Sequence, residues 1–462
     1  MIRKILSFVP GVIVPMGINF LLTILYAQFL SPGEYGILNI YLNSILIVYA
    51  ISGSVFQTAS LRFYTIRESY ENESSFISSY LFGNLAATLA IIPFSLIINI
   101  FLEFDWEIIV LSVGANSIFQ FICNLYRLKN YSFLYNFSRC VTAVSSIILL
   151  FLFSYIIDPL TYVWPIIAVY GSYFLFVLCE IFMLRKQISL SKISFSLLKE
   201  SIKYGFPLIG VSVFGYIISS CAQYFILYYF DKSAVGNYSL GFRLVDALVI
   251  NMLTMVLLVM TPELNKQHDY HGEKVSSVTL MKMISAAMWI IMPICFAIIV
   301  YADYIILFIF PKYESAAHIM RLVVFASIFH GISMFTCKGL ELVKHPKFVF
   351  YSLGVSTLFN CLYNAIFLPI YGLDAAANGS FLTYVLYNVL LILFTRKYFD
   401  LKIDYRYIFK TTIVTLITLV VAVCMMIFFP VSSLLILMIE CLICVFTYLI
   451  FSFIFNLYFV FK

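Results

Sequence analysis

Residues 6–36 read LSFVPGVIVPMGINFLLTILYAQFLSPGEYG. Leu6–Phe29 passes without a single charge. A bilayer's hydrocarbon core is about 30 Å thick and takes roughly 20 apolar residues per helix, so this stretch is long enough to cross it. Arg3 and Lys4 stand before it, the short connection Ser31–Gly36 follows, and a second apolar stretch begins at Ile37. The opening imitates a secretory signal. Its apolar run is too long, lacks an obvious small-residue cleavage site and leads directly into more of the same. It is expected to be a first membrane helix.

The pattern continues to the end of the chain. Apolar stretches fall near 6–29, 37–61, 76–102, 107–126, 132–157, 162–184, 204–230, 238–262, 280–310, 317–342, 348–370, 374–398, 408–429 and 432–460. At 63% hydrophobic and 11% charged, the chain is far from a soluble globule, whose charged share is about a quarter. The expected class is an all-α polytopic membrane protein with about fourteen transmembrane helices. Of the 28 Lys and Arg, 24 lie at the termini or on even-numbered connections and the helix ends beside them. Odd-numbered connections hold Lys232 and Lys312, and the two left over, Arg243 and Arg321, fall inside apolar stretches. Basic connections stay cytoplasmic, so both termini are expected there. The +6 net charge is then an orientation signal, and nothing points to nucleic acid. The ten cysteines lie in or beside apolar stretches, where a thiol behaves as a small hydrophobe. Cys441-x-x-Cys444 has no second pair, so neither a disulfide framework nor a metal site is indicated.

The exterior connections are too short to fold into domains. The interior ones are longer, above all 185–203 and 265–279. In the first, Ile193, Leu197, Leu198 and Ile202 alternate with Lys192, Lys199 and Lys203, a spacing that fits either a short helix on the membrane surface or an irregular basic loop. A weak internal repeat runs at an offset near 200: Leu30-Ser31-Pro32-Gly33-Glu34-Tyr35-Gly36 closes the first stretch, and Asp231-Lys232-Ser233-Ala234-Val235-Gly236-Asn237-Tyr238 closes the seventh. Six helices separate the copies, so the halves keep one orientation, a common transporter plan with the substrate site at the repeat interface.

These motifs resemble those of the Wzx-type polysaccharide flippases. The resemblance is carried by Leu30-Ser31-Pro32-x-Glu34-Tyr35-Gly36, by Lys203-Tyr204-Gly205-Phe206-Pro207, by Val235-Gly236-Asn237-Tyr238, and by Tyr371-Gly372-Leu373-x-Ala375-Ala376. It covers roughly residues 1–400, and it departs where alanines follow Asp374 in place of the family's usual glycine. That family shares a superfamily with MATE antiporters and the lipid II flippase MurJ. The resemblance implies a MATE-like arrangement: an N-lobe over 1–184, a cytoplasmic linker over 185–203, a C-lobe over 204–398, and two appended helices over 399–462. It further implies export of O-antigen or related repeat units on a polyprenyl diphosphate across a bacterial inner membrane. Polysaccharide polymerase and chain-length proteins are the implied partners beside membrane lipids. No cofactor is implied apart from a coupling ion, H+ or Na+.

The residues themselves offer candidates for a cavity. Arg243 and Asp246 stand i,i+3 in the eighth stretch, about 10 and 15 Å below Gly236 at 1.5 Å per residue. A lone charge there costs about 2.5–3.5 kcal/mol, so the two either neutralise each other or face a cavity. Arg321 lies about 7 Å past Ala316 and either snorkels outward or lines the same space. Arg62 ends the second stretch, as an ordinary basic anchor or a cavity group. Buried Glu440 would need a neighbouring helix. Polar residues recur every fourth position as Ser112, Asn116, Gln120 and Asn124, and again as Ser352, Ser356, Asn360 and Asn364; Ser212, Tyr216, Ser219 and Gln223 form a third stripe. Such stripes serve interhelical hydrogen bonds or a wet passage for a hydroxyl-rich cargo. His268-Asp269-Tyr270-His271 reads as a solvated loop, and His330 as a hydrogen-bonded core histidine that could also titrate near neutrality.

Three functions compete. A membrane enzyme would need a sizeable exterior loop, which is lacking. A MATE-like drug or cation antiporter would favour buried carboxylates on several helices, whereas the first stretch offers Asn19 and Gln28 and the seventh Gln223. A lipid-linked oligosaccharide flippase fits best. Arginine's planar fork suits a diphosphate, and amide and tyrosine stripes suit sugars.

Overall fold

The computed structural model of the chain describes residues 10–67, 73–93, 96, 105–429 and 431–457. Arg3, Lys4, Lys462 and residues 102–104 lie outside them. The described chain is helical throughout: α1 Pro10–Phe29, α2 Pro32–Ile51, α3 Gly53–Arg67, α4 Glu73–Ala90, α5 Trp106–Leu128, α6 Ser132–Ile156, α7 Val163–Leu184, a 3-10 turn Leu190–Lys192, then α8 Phe195–Tyr229, α9 Lys232–His271, α10 Glu273–Ile309, α11 Ala316–Leu342, α12 Lys347–Tyr371, α13 Leu373–Tyr398, α14 Tyr405–Phe428 and α15 Leu434–Ile454. Helix is forced here, because in lipid every backbone amide and carbonyl must be paired within its own segment. Among the described residues, thirteen helices are long and apolar enough to span a membrane. The expected third stretch, 76–102, is represented by α4 and runs on past the described residues.

Three expectations about local structure change. The second stretch is two helices, interrupted at Ser52. There Ser52 Oγ donates to the Val48 carbonyl (2.9 Å) and Ser54 Oγ to that of Ala50 (2.6 Å), back-bonds that bend a helix. Gly53 also sits where any Cβ would lie 2.3 Å from Ser117 Oγ, so α3 starts pressed against α5. The inner-surface helix is also absent. Residues from Phe195 onward are the first turns of α8, and Leu197 and Leu198 are buried (0% and 8% exposed) beneath Phe56, Phe76, Tyr80 and Phe121. The basic connection 265–279 is not a loop either. α9 and α10 run for 40 and 37 residues, about 60 and 55 Å, and meet at a single residue, Gly272, whose φ of 78° suits glycine. His268 faces Ser276 across that turn (Nδ1···Oγ 3.1 Å).

The chain forms two compact units, one comprising residues 1–30 and 37–220, the other 31–36 and 221–462. In the first, α1 packs on α6, α6 and α5 on α7, and α3 and α4 on α5. In the second, α11 is the centre, with α9, α10 and α13 around it; α12 lies on α13, while α14 and α15 lie on α10. The repeat motifs meet inside this second unit. A Cβ on Gly236 would stand 1.9 Å from the Pro32 carbonyl oxygen, and one on Gly36 would stand 2.2 Å from that of Lys232. Each copy's glycine receives the other copy's backbone.

Candidate functional site

The second unit brings ionisable side chains of α9 and α11 together. On α9, Gly241 allows close approach to α11, since its Cβ would lie 2.9 Å from the Ala316 carbonyl oxygen. One turn on, Arg243 and Asp246 are both half-buried. Asp246 Oδ1 stands 3.6 Å from His330 Nδ1 on α11. That is ion-pair range when the imidazole is protonated, and longer than a hydrogen bond. The His330 ring stacks on Tyr384 of α13, with centroids 4.6 Å apart and planes at 16°. Asn388, a turn below Tyr384, donates to the Phe329 carbonyl (2.7 Å) and so fixes α11 against α13 beside His330. A carboxylate, an imidazole and an aromatic face are thus held by three helices, with Arg243 adjacent on the first. The sequence singled out Arg243 and Asp246 together but not the link to His330. Those partners sit on helices far apart in sequence, and no spacing rule joins them.

Arg321 is placed more narrowly than the sequence allowed. Its guanidinium pairs with Asp303 of α10 and its Nε donates to the Ile299 carbonyl (3.2 Å). Both side chains keep partial exposure, 34% and 64%, so the pair is a wet one that contributes little to stability. Asp303 was not apparent from the sequence as a partner.

In the first unit the stripe on α5 joins a polar network that includes two residues the sequence reading passed over, Gln57 and Asn84. Asn124 Nδ2 donates to Gln57 Oε1 (3.1 Å), while Gln57 Nε2 donates to the Ser117 carbonyl (2.7 Å) and to Asn84 Oδ1 (3.3 Å). Gln120 Nε2 reaches Asn116 Oδ1 at 3.4 Å; Asn116 is buried and Gln120 half-buried. Arg62 is exposed on α3 with its guanidinium 4.4 Å above the Tyr204 ring. On α8, Ser212, Tyr216 and Ser219 are half-buried, whereas Gln223 is 2% exposed.

The stripe on α12 is buried against α13. Asn360 Nδ2 donates to Thr383 Oγ1 (2.8 Å), and Asn364 Nδ2 donates to the Asn360 carbonyl (2.8 Å). Ser352 and Ser356 are fully buried as well. Beyond them, Glu440 of α15 is 1% exposed, and neither carboxylate oxygen has a hydrogen-bond partner among the described residues. Nearby, Tyr301, Thr415, Thr418 and Tyr448 help line a largely apolar cavity of about 310 Å3 between α10, α14 and α15.

With this geometry in place, comparison with known proteins is informative. Residues 25–317 match the family described as "Polysaccharide biosynthesis protein". Over 237 residues the chain is 23% identical to the "Probable low-salt glycan biosynthesis flippase Agl15" of Haloferax volcanii. That match takes in 49% of the chain and about half the length of the relative, 50%. The fold is similar to that of the lipid II flippase MurJ in an inward closed conformation, with a TM-score of 0.76, 19% identity, and 97% and 98% of the two chains covered. It also resembles an inward-facing multidrug resistance MATE family transporter of the MOP superfamily, with a TM-score of 0.66, 16% identity, and 86% and 98% covered. The architecture is therefore MurJ- and MATE-like, and the chain belongs to the polysaccharide biosynthesis protein family.

Proposed function

We propose that the protein is a flippase that moves lipid-linked oligosaccharide, such as O-antigen or related repeat units on a polyprenyl diphosphate, across a cytoplasmic membrane by alternating access. The observation that carries this reading is Arg243, a half-buried arginine about three turns into α9, on the same helix as Asp246, which faces His330. A permanent cation placed there is costly unless it meets an anion, and a diphosphate supplies paired oxygens for the guanidinium fork. Half-buried Gln120 of α5, held beside Asn116, offers an amide to sugar hydroxyls. The glycan flippase among its relatives supports the same reading. Asp246 and His330 together are a fitting place for the coupling ion, H+ or Na+. A carboxylate facing an imidazole is also what a MATE-like cation antiporter would use, and it keeps that second reading in play.

The test is deletion of the gene, followed by measurement of the amount and sidedness of polyprenyl-linked glycan. Loss of surface glycan with accumulation on the cytoplasmic side is expected, and Arg243→Ala and Gln120→Ala should fail to restore export. Normal surface glycan combined with heightened sensitivity to cationic drugs would instead assign the antiporter function.

Orientation forms part of the proposal. With 24 of 28 basic residues at the termini or on one set of connections and the helix ends beside them, the charge distribution supports a cytoplasmic position for the termini and the segment 185–203. A cysteine introduced at Lys192 should resist a membrane-impermeant maleimide on intact cells and react once the cells are opened. Labelling of intact cells would reverse the topology.

A further inference from the structure

A second cavity lies in the first unit, between α4, the α2–α3 junction and the opening turns of α8, and has a volume of about 780 Å3. The two faces of α8 explain why it exists. One face is fixed. Leu197 and Ser201 are fully buried, Ser201 Oγ meets Tyr80 Oη at 2.8 Å, the Ser194 amide donates to Ser79 Oγ (2.8 Å), and Gly205 lies against the Val55 backbone. The other face carries Phe195, Lys199, Ile202, Phe206 and Ile209 along the cavity, at steps of four, three, four and three, one continuous stripe of a helix. Opposite it, α4 presents Ala86, Ala87 and Ala90 beside the larger Phe82, and the alanines are too small to fill the gap. Because the first face is tied down, α8 cannot slide inward to close the space.

The lining is apolar except at one end. Lys199 is the one charged side chain among the described lining residues, and it is exposed. Ser52, the one other polar group, directs its hydroxyl to the Val48 carbonyl. A ligand matching this surface is apolar along its length and anionic at the Lys199 end. From Lys199 to Ile209 the stripe climbs about 15 Å at 1.5 Å per residue. The stripe thus begins in the segment assigned to the cytoplasmic side and ends inside the apolar stretch 204–230, the path of a lipid from headgroup level into one leaflet.

We propose that this cleft binds an anionic glycerophospholipid of the leaflet on the Lys199 side, with its phosphate on Lys199 and one acyl chain along the α8 stripe. A polyprenyl chain would overrun a groove about 15 Å long, and a zwitterionic headgroup brings its own cation beside the phosphate and so gains less from the lysine. The inference is independent of which cargo the protein moves.

The experiment uses the full-length protein, delipidated in a neutral detergent and titrated with dioleoylphosphatidylglycerol or dioleoylphosphatidylcholine, with bound lipid resolved by native mass spectrometry. One lysine near a membrane surface corresponds to about a fivefold preference for the anionic lipid. Lys199→Gln should erase that preference while leaving the melting temperature unchanged, because the side chain is exposed. Ala90→Phe, which fills the cleft, should weaken both lipids. Equal binding of the two lipids by the wild type, or a preference that survives Lys199→Gln, would overturn the proposal. So would undecaprenyl phosphate displacing phosphatidylglycerol from the Lys199-dependent site at lower concentration, since the site would then belong to cargo.

Discussion

Gly236→Ala is expected to remove most of the folded protein from the membrane, although it adds only a methyl group to a helix. That methyl would stand 1.9 Å from the Pro32 carbonyl oxygen and 2.7 Å from its carbon. Side chains can rotate away from an intruder, but a backbone carbonyl in the first turn of α2 cannot move without carrying that helix with it. Ordinary overpacking costs about 1–3 kcal/mol, and a contact this short against backbone belongs at or beyond the upper end. Gly36→Ala should behave alike, since its Cβ would lie 2.2 Å from the Lys232 carbonyl oxygen. Gly17 and Gly215 serve as controls, because a Cβ at either meets nothing within 4 Å. Alanine at those helical positions should be neutral or stabilise by up to about 1 kcal/mol. Fluorescence-detected gel filtration and melting curves of the four variants measure this. If Gly236→Ala melts within a degree or two of the Gly215→Ala control, the interlocked glycines do not hold the unit together.

That contact also shows what the sequence could and could not reveal. The span count was legible because lipid demands about 20 apolar residues per helix, and few other folds repeat that length so regularly. The two glycines were legible as an internal repeat at an offset near 200, but their mutual contact was not, because repetition indicates equivalence and says nothing of touching. The break at Ser52 escaped notice because hydropathy passes smoothly over Ser52-Gly53-Ser54, while the bend arises from hydroxyl back-bonds and from packing on Ser117. Leu197 and Leu198 were open to a misleading reading. Their spacing among lysines is what a surface helix shows, and only the aromatic cluster of α3, α4 and α5 above them makes them core. Among the candidate site residues, Arg243 and Asp246 stood out as charges in apolar runs. His330 and Asp303 acquired meaning only through partners on other helices. Gln57 was passed over because, as one amide in a moderately polar helix, it belonged to no stripe.

Arg243→Lys is expected to lower oligosaccharide export at least tenfold while the protein accumulates normally. The substitution keeps a positive charge near the same depth, so insertion and any long-range attraction for an anion are retained. What it removes is the planar fork, which gives two parallel donors to paired phosphate oxygens where an ammonium gives a single point of contact. A hydrogen bond to a charged group contributes about 1.5–3 kcal/mol, which corresponds to roughly 10- to 150-fold in a step that depends on it. A purely structural role leads to a different pattern. If Arg243 served only to neutralise Asp246, then Arg243→Leu combined with Asp246→Leu would remove both charges together and leave export intact. The contact between Asp246 and His330 sharpens the comparison, because Asp246 has a second neighbour, the His330 imidazole, across the helix interface. His330→Gln should therefore leave the Arg243→Lys defect unchanged in size, as expected if cargo recognition and the Asp246–His330 contact are separate functions of α9. The measurements are surface glycan per unit of membrane-inserted protein for the four variants, made in parallel. Normal export by the double leucine variant would sink the assignment of Arg243 to the cargo.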